Sequence, residues 1–172
     1  MLFSGLPFLY YFLPAVLVCY FAAPRKLKNA VLFVFSLIFY GWGEPRYIVL
    51  MIVSIVSGFV FALMIEKKQN KKSGLILMWI SVAVSLSFLL IFKYADFLIE
   101  NVNQLPGVSL PLSKLSLPIG ISFYTFQIIS YTVDVWRGDT KAQRNIISFG
   151  TYVSLFPQLI AGPIVQYKTV EK

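Results

Sequence analysis

Six stretches of this chain contain no Asp, Glu, Lys or Arg, and that pattern limits its possible folds more than any other feature. They cover residues 2–24, 29–43, 47–65, 73–92, 115–133 and 146–167. A helix rises about 1.5 Å per residue and needs ~20 mostly apolar residues to cross the hydrocarbon core of a bilayer. Five of the stretches reach that length. The second, 29–43, is short for a full span and calls for little tilt, local thinning or partial insertion. In a chain of 172 residues this leaves no room for a soluble domain. The expectation is one all-α integral membrane unit over 1–172, with about six transmembrane or re-entrant helices.

Composition agrees. Charged residues make up 13% of the chain and apolar ones 58%, whereas a soluble domain carries about 25% charged residues. The missing polar surface has to face lipid or other protein. The net charge of +8 does not argue for nucleic acid, because the basic residues sit in short connections between apolar runs. There they set topology and meet anionic headgroups, so the partner they imply is the bilayer.

Threading the six stretches alternately from outside to inside puts ten of the fifteen basic residues into the connections 24–29, 66–74 and 137–145, and five into the other segments. The positive-inside rule then predicts a multi-pass protein of the cell membrane with its N-terminus outside. The first stretch is not a signal peptide by its charge order: nothing basic precedes it, and Arg25, Lys26 and Lys28 follow it. The segment 93–114, with a Pro106–Gly107 turn signal, reads as an outer loop. Lys93 with Asp96, Asp134 with Arg137, and Glu44 with Arg46 beside Trp42 read as boundary anchors and turns rather than reacting groups.

Thiol and imidazole chemistry is nearly absent from the sequence. Cys19 is the one cysteine, which excludes a disulfide or Cys-cluster metal framework. It lies in an apolar run with no ionisable neighbour to activate it. The chain has no histidine. No residue here is assigned as a catalytic base, and no metal site is expected.

The last two stretches differ from plain anchors. The fifth opens with Pro118 and Gly120 and carries Ser122, Tyr124, Thr125, Gln127, Ser130, Tyr131 and Thr132. Tyr124, Gln127 and Tyr131 are spaced i, i+3, i+7, so they share one helix face. Polar groups at membrane depth are costly unless paired, which leaves two readings: interhelical hydrogen bonding, or the lining of a wet cavity. The sixth stretch holds Phe156–Pro157–Gln158 and, further on, Gly162–Pro163. Each proline removes a backbone donor and disfavours helix just before it, so this segment is expected to be bent or re-entrant.

These same blocks carry a family resemblance. The run from Leu117 through Gln127, then Ser130–Tyr131, Asp134–Val135 and Arg137–Gly138, resembles the signature of the membrane-bound O-acyltransferases. Phe156 to Pro163 resembles that family's next block, in the same order and spacing. Met1 to Ser4, Phe39 to Trp42 and Phe92 to Phe97 are similar to the alginate O-acetyltransferase branch. The resemblance implies a ring of helices around a tunnel, of which this chain would form the N-terminal part. It implies no bound cofactor and an acyl donor on the cytoplasmic side, acetyl-CoA or another acyl thioester, used as substrate. The acceptor would be a cell-envelope polysaccharide such as alginate, with an extracytoplasmic protein completing transfer. Tyr124, Gln127, Tyr131 and Gln158 are the candidate tunnel-lining, substrate-binding residues.

In the family the general base is a histidine beyond the block ending at Pro163. The expectation is therefore an inactive first portion of a longer acyltransferase. The competing expectation is a non-catalytic scaffold or subunit of the same fold. An unrelated small transporter would have to produce every motif block by coincidence.

Overall fold

The computed structural model describes residues 6–69, 71–103, 118, 120–161 and 167, and every regular element among them is a helix. The first apolar stretch begins as a π-helical turn, Phe8–Phe12, that runs directly into α1, Leu13–Ala22. Pro14 explains the widened start. It has no N–H to give Tyr10, and the Leu13 N–H bonds back to the Phe8 carbonyl, five residues away. Next come α2 (Lys28–Gly43), α3 (Ile48–Lys67), α4 (Lys72–Val102), α5 (Ile121–Arg137), α6 (Ile146–Ser154) and α7 (Phe156–Ala161).

The charge-free stretches thus mark the helices, with two differences. The fourth helix does not stop at Phe92. It continues for ten more residues through Lys93, Asp96 and Glu100, into the segment expected to be loop. Those charges fall at i, i+3 and i+7, on one helical face, and no Pro or Gly interrupts the chain before Pro106. Lys93 lays its ammonium over the Tyr94 ring, 5.4 Å from the centroid. The rest of that loop, with Pro106–Gly107, lies outside the described residues.

The sixth stretch becomes two helices, broken at Leu155, whose φ of −54° and ψ of 111° leave the helical region. Pro157 then sits in the first turn of α7, where its missing N–H costs nothing. Pro163 lies outside the described residues.

Among the described residues two helices, Ile48–Lys67 and Lys72–Tyr94, are long and apolar enough to cross a membrane; α1 with its lead-in and α2 are apolar but shorter. From α1 to α6 consecutive helices run antiparallel, which gives the bundle two ends. At one end lie the start of α2, the end of α3, the end of α5 and the start of α6. They are tied by Asn29 to Ser148, Gln69 to Val135 and Glu66 to Ala142. This end carries the connections rich in Lys and Arg. At the other end Tyr47, just before α3, meets Phe92 of α4 edge to face.

Close approach is achieved with glycine. A Cβ on Gly58 of α3 would stand 2.7 Å from Ile128 of α5, and one on Gly150 of α6 would stand 2.6 Å from the Phe33 ring of α2. Small residues at helix contacts let packing replace the hydrophobic drive that lipid cannot supply. A second, smaller cluster of Phe8, Phe12, Phe39 and Phe156 joins α1, α2 and α7, its rings 5.5 to 5.8 Å apart.

Candidate functional site

The polar face of α5 points inward. Tyr124, Gln127 and Tyr131 are all buried, with exposures of 0%, 3% and 1%. What two of them do follows from the break beside them. Ending α6 at Ser154 orphans its last carbonyls, Tyr152 among them, because the next residues no longer donate back along the axis. The Gln127 amide supplies the missing donor, bonding the Tyr152 carbonyl at 2.8 Å. Tyr131 serves the α5–α6 connection, its hydroxyl accepting from the Gln143 N–H at 2.7 Å.

That connection is built to hold one shape. Gly138, at φ 83°, ends α5 in the left-handed conformation that glycine adopts without penalty, and the Asp139 N–H returns to the Asp134 carbonyl. Glu66, at the end of α3, accepts from the Ala142 N–H at 3.0 Å and pairs with Arg144 at 2.5 Å. Gln143 is the centre. Its side-chain oxygen accepts from the N–H groups of Arg144 and Asn145, and its amide donates to the Tyr167 hydroxyl at 2.6 Å. Asn145 then caps α6 through the Ile147 N–H.

Between this connection, α2 and the α6–α7 break lies a cavity of about 330 Å³. Asn29, Gln143, Ser148, Thr151, Tyr152, Gln158 and Tyr167 supply its polar lining, and Leu32 and Leu155 its apolar part. Asn29 donates to Ser148 at 3.1 Å. The Thr151 hydroxyl is shared between the Asn29 and Ile147 carbonyls. The Gln158 amide nitrogen is buried with no partner. Tyr131 stands behind the lining residues Tyr152 and Tyr167, and the Tyr167 ring meets both others edge to face, its centroid 4.9 Å from that of Tyr131 and 5.0 Å from that of Tyr152. The cavity therefore offers amide and hydroxyl groups on a rigid aromatic backing, at the end of the bundle that carries the basic connections.

Of the four residues singled out by sequence, Gln158 lines the cavity. Gln127 and Tyr131 stand one layer behind it, holding Tyr152 and Gln143 in place, and Tyr124 lies further off, toward the other end of α5. Sequence reasoning missed Asn29 and Gln143. Asn29 reads as the first residue of an apolar run, and Gln143 as part of a charged connection, so neither belongs to a periodic polar face. Cys19 faces outward, consistent with its apolar setting.

No family model matches the chain, and no solved structure matches it. Curated relatives do. The chain is 38% identical, over 98% of its length, to the protein named as an alginate O-acetylase in Pseudomonas aeruginosa, and equally so to its counterpart in Azotobacter vinelandii. It is 29% identical over 97% of its length to the peptidoglycan O-acetyltransferase of Helicobacter pylori. These alignments cover 33%, 35% and 37% of the relatives, so the chain spans about a third of the length of the proteins it matches. Identity at this level, sustained from one end of the chain to the other, shows common descent with the matching third of the alginate O-acetylases.

Proposed function

We propose that this chain forms the donor-side part of a membrane-bound O-acyltransferase that acetylates a hydroxyl of a cell-envelope polysaccharide. The observation that carries the reading is the polar cavity at the α6–α7 break, set at the end of the bundle that carries the basic connections, which the positive-inside rule would put in the cytoplasm. Irregular backbone at membrane depth is tolerated where it lines a cavity. An acyl thioester such as acetyl-CoA, arriving from the cytoplasm, would place its carbonyl among amide and hydroxyl donors there. Among the described lining residues the orphaned Gln158 amide has a proton to give.

In the reaction the acceptor hydroxyl oxygen attacks the thioester carbonyl. A C–O bond forms, the C–S bond breaks, and the hydroxyl proton ends on the departing thiol. The proton has to be taken by a base, for which His is the side chain best matched to neutral pH. None of the 172 residues is His, so the reading places the base in the two thirds of the relatives' length that this chain does not span. The multi-pass topology with the N-terminus outside, the ring of helices, the polysaccharide acceptor and an extracytoplasmic protein that completes transfer belong to the same proposal. Support comes from the names of the relatives, the apolar helices and the distribution of basic residues.

The test is transfer of labelled acetyl from acetyl-CoA to polysaccharide in membranes holding the native protein. Gln158→Leu should cost about 10-fold or more in kcat/KM, the scale of one hydrogen bond to a developing charge. Unchanged kinetics would remove Gln158 from donor binding. Full activity of partner subunits without this protein would leave it the role of scaffold.

A further inference from the structure

A second group of buried polar atoms lies away from the cavity, where α2 meets α5. The hydroxyls of Tyr40 and Tyr124 are neighbours, and the side chains are 5% and 0% exposed. Among the described residues neither hydroxyl has a hydrogen-bond partner of good geometry. One turn back along α2, the Ser36 hydroxyl is buried and unpartnered as well. Serine in an apolar helix ordinarily returns its proton to the carbonyl four residues earlier, as Ser54 does here to Leu50 and Ser154 to Gly150. Ser36 does not.

Counting donors and acceptors decides what this site needs. Two phenolic hydroxyls have two protons and can accept from several directions. Even a direct bond between them uses only one proton and leaves the other orphaned, which is costly in a dry interior. Both oxygens are shielded from the surroundings, so no lipid or other chain can reach them from outside. The missing partner has to be small, able to donate and accept at once, and enclosed. We infer that Tyr40 and Tyr124 hold an internal water between α2 and α5, with Ser36 as its contact on the next turn toward the cavity.

Asn29, Leu32, Ser36 and Tyr40 lie along one face of α2 at steps of three and four. The helix that supplies two residues to the cavity therefore also carries this site, nearer the opposite end of the bundle. Buried waters of this kind make about three hydrogen bonds to groups otherwise unsatisfied, which matches three orphaned hydroxyls. The inference does not depend on the acyltransferase reading.

Radiolytic footprinting read by mass spectrometry, on the native protein in nanodiscs, tests it, since bound water converts on the spot to hydroxyl radical. After correction for intrinsic reactivity, Tyr40 and Tyr124 should label like the cavity residue Tyr152 rather than like the buried Phe149. Tyr124→Phe keeps the ring and should abolish the labelling at Tyr40, and Tyr40→Phe the labelling at Tyr124. Protection of both rings equal to that of Phe149 would overturn the inference, as would labelling at one that ignores loss of the other hydroxyl. Thermal unfolding gives an independent reading. Either Phe variant should lower Tm, and the pair together no more than about the larger single shift. A rise in Tm for either would mean a dry orphaned hydroxyl and no water.

Discussion

The helices before residue 103 and those after residue 118 solve opposite problems. In α3 and α4 only 33% and 22% of the apolar window is buried by the rest of the chain. Their residues face outward, and what they require of the sequence is uniform apolarity over enough length. In α5, eight of seventeen residues are buried, Tyr124, Thr125, Gln127, Tyr131 and Thr132 among them. Here the sequence supplies partners for polar groups, and the helices are shorter because a break and a cavity have to be accommodated. The outward positions of the first region tolerate any side chain that lipid will accept, whereas inward ones such as Gly58, packed against Ile128, do not. The second region tolerates few changes, since polar groups such as the Gln127 amide and the Tyr131 hydroxyl complete another residue's hydrogen bonding.

Substitutions can break that contrast, and the largest effect is expected where the two regions touch. Gly150→Val puts branched carbons where a Cβ alone would already stand 2.6 Å from Phe33. It should cost about 3 kcal/mol or prevent a monodisperse preparation, because overpacking forces backbone shifts in both helices. Thermal unfolding in detergent measures this, and a variant as stable as the parent would mean α2 and α6 are free to separate. Gln127→Leu ranks next. It is nearly isosteric but leaves the Tyr152 carbonyl buried without a donor, for about 1–3 kcal/mol. A neutral result would show that another donor already serves that carbonyl. The smallest effect should be that of Ile76→Ala on the outward face of α4, where the side chain is 58% exposed. A change within about 0.5 kcal/mol is expected; a large loss would show that another protein surface, rather than lipid, covers this face.

How much was legible in advance follows the same division. The charge-free runs marked the helices because lipid selects on composition, residue by residue, and composition is visible in one dimension. The bend before Pro157 was legible for a local reason too, since proline acts on its own backbone and its neighbour's. The extension of α4 past Lys93 was not, because charge in a window argues for loop while its spacing allows a helix at the membrane boundary. Among the candidate residues the i, i+3, i+7 spacing of Tyr124, Gln127 and Tyr131 located the buried polar face of α5. It could not tell a residue that lines a cavity from one that braces the lining.

The sequence alone therefore determined that the chain is helical, apolar and punctuated by basic connections, because each of those properties is local or additive along the chain. It also determined kinship with the alginate O-acetylases, through motif blocks whose order survives in the primary structure. Only the tertiary structure decided that Asn29 and Gln143, 114 positions apart, share a cavity with Gln158. Only it decided that Gln127 caps a broken helix, and that the Tyr40 and Tyr124 hydroxyls are sealed together. Hydrogen-bond satisfaction in a buried interior is a property of pairs, and pairing depends on which helices meet.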